Sequence, residues 1–405
     1  MFNLKACCFT DNELNDDFVG VRSINNDLQI CFPLGFDIGD DKSIRENIKK
    51  LISVLLEYNK TFAYENLLNN KNDIIILNFP LKSYKNIIEY FLSHGYYTEN
   101  KSYYENSAKG KINFFKTIKK NRPIIQNLNN KNSFVYTRFQ VKKKMINENE
   151  LITAINKYCV YEAFSKFGFV FSSFMPPKFK LSTDKNHCIY LLETKLNDTF
   201  NDNKKTLFQS MKNILLHDDG VLDKTDFKFG TYNFYVIWER MIDKAFGIKN
   251  KEVYFPKIKW NLHYSKQKSD YVLQPDSIML FEDKIYILDA KYYKYGVSGV
   301  ANDLPNSASI IKQIVYGEYV AKLEAKKKEI YSIFLMPFNR FNNPLKLNNI
   351  FENIGFANGE WRDNLKQYEN IQTILIDTKF LMQNYNKKSN NLLKLLVKNV
   401  EQNKI

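Results

Sequence analysis

Several things are scarce in this 405-residue chain. No apolar run approaches the roughly 18 residues that a membrane span requires, and the N-terminus lacks the basic-then-apolar pattern of a secretory leader. The five cysteines, Cys7, Cys8, Cys31, Cys159 and Cys188, show neither metal-ligand spacing nor an even-numbered disulfide framework. An odd count fits a reducing cytoplasm, so a cytoplasmic protein with no membrane partner is expected. Four scattered histidines are too few for a histidine-based zinc site. No Gly-x-x-x-x-Gly-Lys-Ser/Thr loop is present, so any nucleotide hydrolysis would have to come from a partner. Nothing in the N-terminal part matches a helix-turn-helix or a zinc finger, and no internal repeat is seen.

What is present describes a folded protein. A hydrophobic content of 44% and an aromatic content of 15% argue against a disordered adaptor. The length allows two or three domains, each with its own core. Phe18–Arg22 and Leu28–Pro33 read as strands joined at Asn25-Asn26-Asp27, and Ser43-x-x-Glu46 opens a helix running to about Asn59. Asp73–Asn78 reads as a buried strand and Ser83–Ser93 as a helix closed by Gly95. The asparagine-rich stretch Asn121–Asn132 reads as a surface loop before a strand at Ser133–Val141. Asn147–Phe167 reads as a long helix, and Asn197–Lys205 as a polar loop or insertion. A boundary is expected near 145: an N-terminal α+β domain over 1–145 for specificity or partner binding, a second domain over 146–385, and a basic amphipathic tail over 386–405. Leu392, Leu393, Leu395, Leu396 and Val400 would dock the tail on its own fold.

The net charge of +15 is partly a lysine- and asparagine-rich compositional bias. Some of it is local. Lys109, Lys111, Lys116, Lys119, Lys120 and Arg122, followed by Lys142–Lys144, interleave with Phe114, Phe115, Tyr136 and Phe139. Such a stretch either tracks a phosphate backbone or is a solvated face.

The most specific signal lies further on. Gln274-Pro275-Asp276 precedes Ile278–Leu280, a turn at Phe281-Glu282-Asp283-Lys284, and the strand Ile285-Tyr-Ile-Leu-Asp289-Ala-Lys291. A hairpin here returns Asp289 close to Asp276, with an ammonium two residues beyond. Two carboxylates and a lysine at a sheet edge can hold Mg²⁺ and a water beside a phosphate. This is the layout of the PD-(D/E)xK nucleases, which the stretch resembles. The Asp-x-Lys triplet alone is weak: it recurs at Asp40-Asp-Lys42 and Asp226-Phe-Lys228. Glu193-Thr-Lys195 and Asp377-Thr-Lys379 also follow apolar runs, but neither has a Pro-Asp one hairpin upstream, and both read as structural.

Helical patterns flank the motif. Gly230–Phe246 places Phe234, Trp238, Met241, Ile242 and Ala245 on one stripe, with Glu239 at its border. A carboxylate there either serves the metal site or is a solvated helix-edge residue near Lys244. Ser309–Lys328 carries Ile310, Ile314, Val315, Tyr319, Val320 and Leu323 inward. Gln313 and Tyr316 share one direction on it, toward the active site or, for Tyr316, the core. Tyr331–Pro337 returns as a strand. The fold class expected is α/β (α+β), a mixed central sheet flanked by helices.

Gly110-Lys-Ile-Asn-Phe-Phe-Lys-Thr-Ile-Lys119, Lys157-Tyr-Cys-Val-Tyr-Glu162, Tyr235-Val-Ile-Trp-Glu239, Pro275-Asp276, Ile287-Leu-Asp-Ala-Lys-Tyr-Tyr293 and Lys312-Gln-Ile-Val-Tyr316 together resemble the LlaJI family of bacterial restriction endonucleases. The second half is also similar to McrC-type nuclease subunits. The resemblance runs over roughly residues 105–380; Phe114-Phe115 departs from it where a Trp-containing version is expected. It implies a restriction component that hydrolyses double-stranded DNA with Mg²⁺, or Mn²⁺ in its place. It also implies that Asp276, Asp289, the Ala290 carbonyl and Glu239 ligate the metal, that Lys291 orients or activates water and offsets phosphoryl charge, and that Gln313 supports the site. A separately encoded AAA+ GTPase or ATPase motor and a cognate methyltransferase gene nearby are the partners it implies. Three readings compete: a same-fold nuclease of repair, junction resolution or transposition, a non-catalytic DNA-binding module, and a protein–protein adaptor.

Overall fold

The structure is a computed structural model that describes residues 4–11, 13–24, 27–69, 80–128, 131–147, 150–172, 174–217, 227–264, 270–324, 327–362 and 365–401. The expected strand Asp73–Asn78 and the turn residues Asn25 and Asn26 lie outside the described residues. The chain divides into two compact units, residues 1–79 with 225–405, and residues 80–224. This differs from the expected boundary near 145. The first unit is discontinuous: its N-terminal strands β1 (Val19–Ile24) and β2 (Asp27–Cys31) form an antiparallel sheet with β3 (Phe227–Thr231), some two hundred positions later. Local sequence patterns carry no trace of such a pairing. Gly20 and Gly230 face each other in that register, and a Cβ on Gly230 would meet the Phe18 ring at 2.6 Å.

The N-terminal helix α1 (Ile44–Asn69) belongs to the same unit, as does α2 (Phe234–Phe246). The helical pattern predicted from Gly230 starts four residues later, because Gly230 and Thr231 are committed to the β1–β3 ladder. A five-stranded mixed sheet follows, ordered β4 (Ser277–Phe281), β5 (Lys284–Ala290), β6 (Glu329–Phe338), β8 (Ile371–Asp377), β7 (Phe351–Ala357). β4 and β5 are the expected hairpin, with Ser277 opposite Leu288 and Glu282 at φ 52° in the turn. β5, β6 and β8 run parallel, and β6 is buried from Ile330 to Phe338, as a strand covered on both faces must be. The chain is thus a mixed α/β protein with helices around a central sheet, as the sequence led one to expect.

Helix α3 (Ser307–Leu323) crosses between β5 and β6. Tyr316 and Val320 on it pack with Ile278, Ile285, Ile287 and Ile330. The inward stripe expected for this helix is shifted: Leu323 is exposed, while Gln313, Tyr316 and Gly317 are buried. A Cβ on Gly317 would meet Tyr368 at 2.5 Å, so the helix sits close there and turns that side inward. Helix α4 (Asn390–Glu401) buries Leu392, Leu393, Leu396, Val397 and Val400, whereas Leu395 faces out. Glu401 accepts hydrogen bonds from Lys284 and Tyr286 on β5. The expected basic tail is therefore docked on its own unit.

The second unit packs helices Leu81–His94, Leu151–Phe171, Lys185–Asp198 and Asp202–His217 with a small sheet of Glu99–Asn106, Gln140–Asn147 and Lys111–Ile112. Asn121–Asn132 is largely a strand, Ile124–Leu128, paired with Lys131–Val135, instead of a loop. The predicted strand Ser133–Val141 is accordingly split between that hairpin and Gln140–Asn147. Asn197–Lys205 is mostly helical, only Thr199–Asn201 linking two helices. Glu193-Thr-Lys195 falls inside a helix and Asp377 caps a helix by accepting from Phe380 N at 2.7 Å, so both decoy triplets are structural.

Candidate active site

Asp276 immediately precedes β4, and Asp289 and Ala290 end β5. The antiparallel register brings them together: Asp276 Oδ2 accepts a hydrogen bond of 2.8 Å from Ala290 N. Lys291 continues beyond the strand, its backbone N donating to Leu335 O at 2.9 Å. Its ammonium returns to Asp289 Oδ2 at 2.9 Å, with both side chains largely buried. Asp289, Asp276 and Lys291 therefore meet at the end of the β4–β5 hairpin, as the spacing of the two motifs predicts.

Glu239 reaches the same place by way of its neighbour. Trp238, fully buried, donates its indole N–H to Leu335 O at 3.2 Å, the carbonyl that also receives Lys291 N. Leu335 is the register partner of Ala290, so this bond pins α2 over the site and delivers Glu239. Burial raises the Glu239 carboxyl above its usual range, and the Asp289 charge raises it further. Asp276 is pushed up to about 8, mainly by burial and then by Asp289, with Glu239 adding to it. Burial tends to lower the Lys291 ammonium, but Asp289 and Asp276 outweigh it and leave it raised. Three carboxylates thus lie around Lys291 in a low-dielectric setting, with Lys312 and Arg240 also acting on Glu239, and the mutual repulsion of the acids favours a bound cation.

A hard cation fits part of the expected ligand set. Among the described residues no group of three or more His, Cys, Asp or Glu side chains is close enough to hold a metal. Asp276 and Asp289 converge, while Glu239 stands within electrostatic range only. Mg²⁺ commonly takes one or two protein carboxylates and fills its remaining positions with water and substrate phosphate, so the pair suffices.

Gln313 does not face the cleft. Its amide Nε2 donates to Ile287 O at 2.8 Å inside the protein, and its Oε1 has no hydrogen-bond partner among the described residues. Tyr316 OH donates to Gln274 O at 3.0 Å. Gln313 thus braces β5, which carries Asp289, and Tyr316 braces the segment that leads into Asp276. Lys251 was not foreseen: its ammonium donates to Asp276 O at 2.6 Å and pairs with Asp243 at 2.8 Å. A lysine in a short 3-10 turn offers no sequence signal for that contact.

In the second unit, helix Phe114–Lys120 is capped by Asn113, whose Oδ1 accepts from Lys116 N. Phe114, Phe115 and Ile118 are exposed, and Lys116 lies 3.5 Å from the centre of the Tyr104 ring. Basic and aromatic side chains do share this surface, whereas Tyr136 and Phe139 are half-buried.

The family model for "LlaJI restriction endonuclease" matches residues 18–361. The chain belongs to the LlaJI restriction endonuclease family. A curated relative, the "Type II restriction enzyme BsuMI component YdjA" of Bacillus subtilis (strain 168), is 26% identical over 276 residues. That alignment covers 62% of this chain and 57% of the relative, so the chain spans little more than half the relative's length. Among solved structures, a chain of the half-complex from the tetradecameric assembly of Thermococcus gammatolerans McrB AAA+ hexamers with bound McrC covers 93% of this chain and 83% of its own, at 14% identity and a TM-score of 0.34. Among the described residues of this LlaJI-family protein, no helix is long and apolar enough to cross a membrane.

Proposed function

We propose that this LlaJI-family protein is a Mg²⁺-dependent DNA endonuclease of a restriction system, with its active site at Asp276, Asp289 and Lys291. The observation that carries the reading is the convergence of two carboxylates on one lysine at the end of the β4–β5 hairpin. Asp276 and Asp289 would hold the metal, with the Ala290 carbonyl beside them and Glu239 reaching it through water. A divalent cation there would lower the pKa of a bound water and stabilise charge on a phosphoryl oxygen.

The residues themselves divide the remaining work. Lys291, held against Asp289 and with its pKa raised, stays protonated at neutral pH. It is then a fixed positive charge for the non-bridging oxygens of the scissile phosphate, and it orients water by donating to it. Ala290 N and Lys251 fix Asp276 from two sides. Gln313 and Tyr316 act at one remove, holding the backbone of β5 and of the segment before Asp276. The exposed basic and aromatic segment of the second unit suits contact with the DNA backbone. A separately encoded AAA+ motor is the partner that the family resemblance implies, and a methyltransferase gene beside this one would favour restriction over repair.

The test is cleavage of plasmid and genomic DNA with Mg²⁺ or Mn²⁺, for wild type, Asp289→Ala and Lys291→Ala, with and without a neighbouring motor protein and GTP or ATP. Metal-dependent cleavage lost in both variants, with DNA binding kept, supports the reading. Variants that cut as well as wild type would move the activity elsewhere.

A further inference from the structure

A cleft of about 630 Å³ opens beside Lys291, lined also by Ala290 and Glu239. This is well within the range of roughly 300–1,000 Å³ typical of small-ligand sites. Its walls combine three kinds of chemistry. Tyr235, Tyr292 and Tyr293 supply aromatic surface with the buried Phe234 packed against Tyr292, Asn233 and Asn302 supply amides, and Lys291 and Lys294 supply positive charge.

The aromatic wall is preformed. Phe234 and Tyr292 pack with ring centres 5.4 Å apart, Trp238 backs Tyr292 at 6.0 Å, and the Tyr292 hydroxyl accepts from Leu34 N at 2.7 Å. Tyr235 stands at the rim, 46% exposed, its ring not consumed by the core. Asn233 occupies the N-cap of α2, yet its side chain makes no capping bond. A cap asparagine normally spends its oxygen on the helix, and the Asn233 side chain instead lines the cleft. Asp17 and Asp303 also line the cleft, Asp303 accepting from Ser298 at 2.5 Å. Carboxylates there would repel a run of phosphates but accept from a ring N–H or amino group of a base. The cleft therefore suits a flat, hydrogen-bonding, neutral body tethered to a phosphate beside Lys291.

We propose that this cleft receives one unstacked nucleotide of the substrate strand, adjoining the phosphate that faces Lys291. The proposal rests on the nuclease reading for the placement of that phosphate. A base within a duplex cannot enter a concave pocket, so the nucleotide must leave the stack or come from single-stranded DNA. Stacking on an aromatic side chain offsets the unstacking. DNA with a mispaired or unpaired position near the cut would be the preferred substrate.

The probe is thymidine 3′,5′-bisphosphate with Ca²⁺, compared with 2-deoxyribose 3,5-bisphosphate, which lacks the base, by calorimetric titration. Wild type should bind the nucleotide at least tenfold more tightly than the abasic compound. Tyr235→Ala should abolish that difference while leaving abasic binding unchanged, Tyr235→Phe should keep it, and Asn233→Ala should reduce it severalfold. Thermal unfolding of each variant shows that the fold is intact. Equal binding of the two compounds to wild type, no binding of the nucleotide, or a difference that survives Tyr235→Ala would each overturn the pocket. DNA cleavage is read separately. A protein that cuts DNA yet ignores the base loses the pocket and keeps the nuclease assignment, and base-dependent binding without cleavage does the reverse.

Discussion

Asp276 Oδ2 is hydrogen-bonded at 2.8 Å to the backbone N–H of Ala290, the residue between Asp289 and Lys291. One acid of the site is thereby locked to the main chain that presents the other acid and the lysine. A backbone donor survives every substitution except proline, so the separation of the two carboxylates is set by the register of β4 on β5. The consequences can be measured.

Removing the lysine charge should cost more than removing a surface cation. Lys291→Ala should lower the rate of DNA cleavage by about 10²–10³-fold, the scale for loss of one positioned transition-state donor. Lys291→Arg should recover little, because a planar guanidinium does not reproduce a point charge against Asp289. Single-turnover cleavage alongside a DNA-binding assay checks this; equal losses in binding and cleavage would contradict it.

The raised pKa of Asp276 gives a pH dependence with a definite sign. A carboxyl at about 8 holds its proton at neutral pH, and that proton competes with a divalent cation. Affinity for Mg²⁺ or Mn²⁺ should rise from pH 6 to about pH 8 and then level off. Without metal the same group stabilises the fold fully below the unfolded carboxyl pKa of about 3.9, and the stabilisation is lost as pH rises through the folded value. The metal-free protein should therefore melt at a lower temperature at pH 9 than at pH 6. Asp276→Asn should flatten both profiles, which metal titrations and melting curves across that range would show.

Gln313 separates a bracing role from a direct one. Gln313→Ala removes the bond to Ile287 O and leaves a void, and should cost about 1–3 kcal/mol of stability. Gln313→Met fills the volume, also removes the unpartnered Oε1, and should cost less. Cleavage by the Met variant at a temperature where it is folded should be within about tenfold of wild type, because its side chain lies under the strand and away from the cleft. Loss on the 10²–10³ scale would mean that the amide reaches the substrate.

The sequence was legible where chemistry and local geometry coincide. Pro275-Asp276 and Asp289-Ala-Lys291 lie on either side of one short hairpin, so a two-residue turn suffices to bring them together. Glu239 could be named as a border residue of an amphipathic helix, but its delivery depends on Trp238 bonding to Leu335 O, ninety-seven residues away. The polar character of Gln313 suggested a site-facing group, and it is buried because its amide finds a strand carbonyl that no local pattern reveals. The largest difference, the placement of residues 1–79 with 225–405, has the same origin. β1 and β3 are each ordinary short strands, and only their long-range ladder makes them one sheet.

The C-terminal helix offers the sharpest stability test. Five apolar side chains of α4, from Leu392 to Val400, are buried, and Glu401 closes the contact with Lys284 and Tyr286 at the start of β5. At about 1.5–3 kcal/mol for each fully buried large side chain, their loss is of the order of the entire stability of a domain, even after allowance for a compact unfolded chain. Truncation after Ser389 should therefore yield insoluble or strongly destabilised protein, whereas Leu395→Ala, on the exposed side, should melt within a degree or two of wild type. Leu396→Ala should be intermediate, costing about 2–5 kcal/mol. Were the truncated chain to fold and melt like the full one, α4 would instead be a segment held for a partner, and its deletion should then impair cleavage only when that partner is present. Circular dichroism melting of the three proteins distinguishes these outcomes, because a docked helix contributes to the cooperative transition and a tethered one does not.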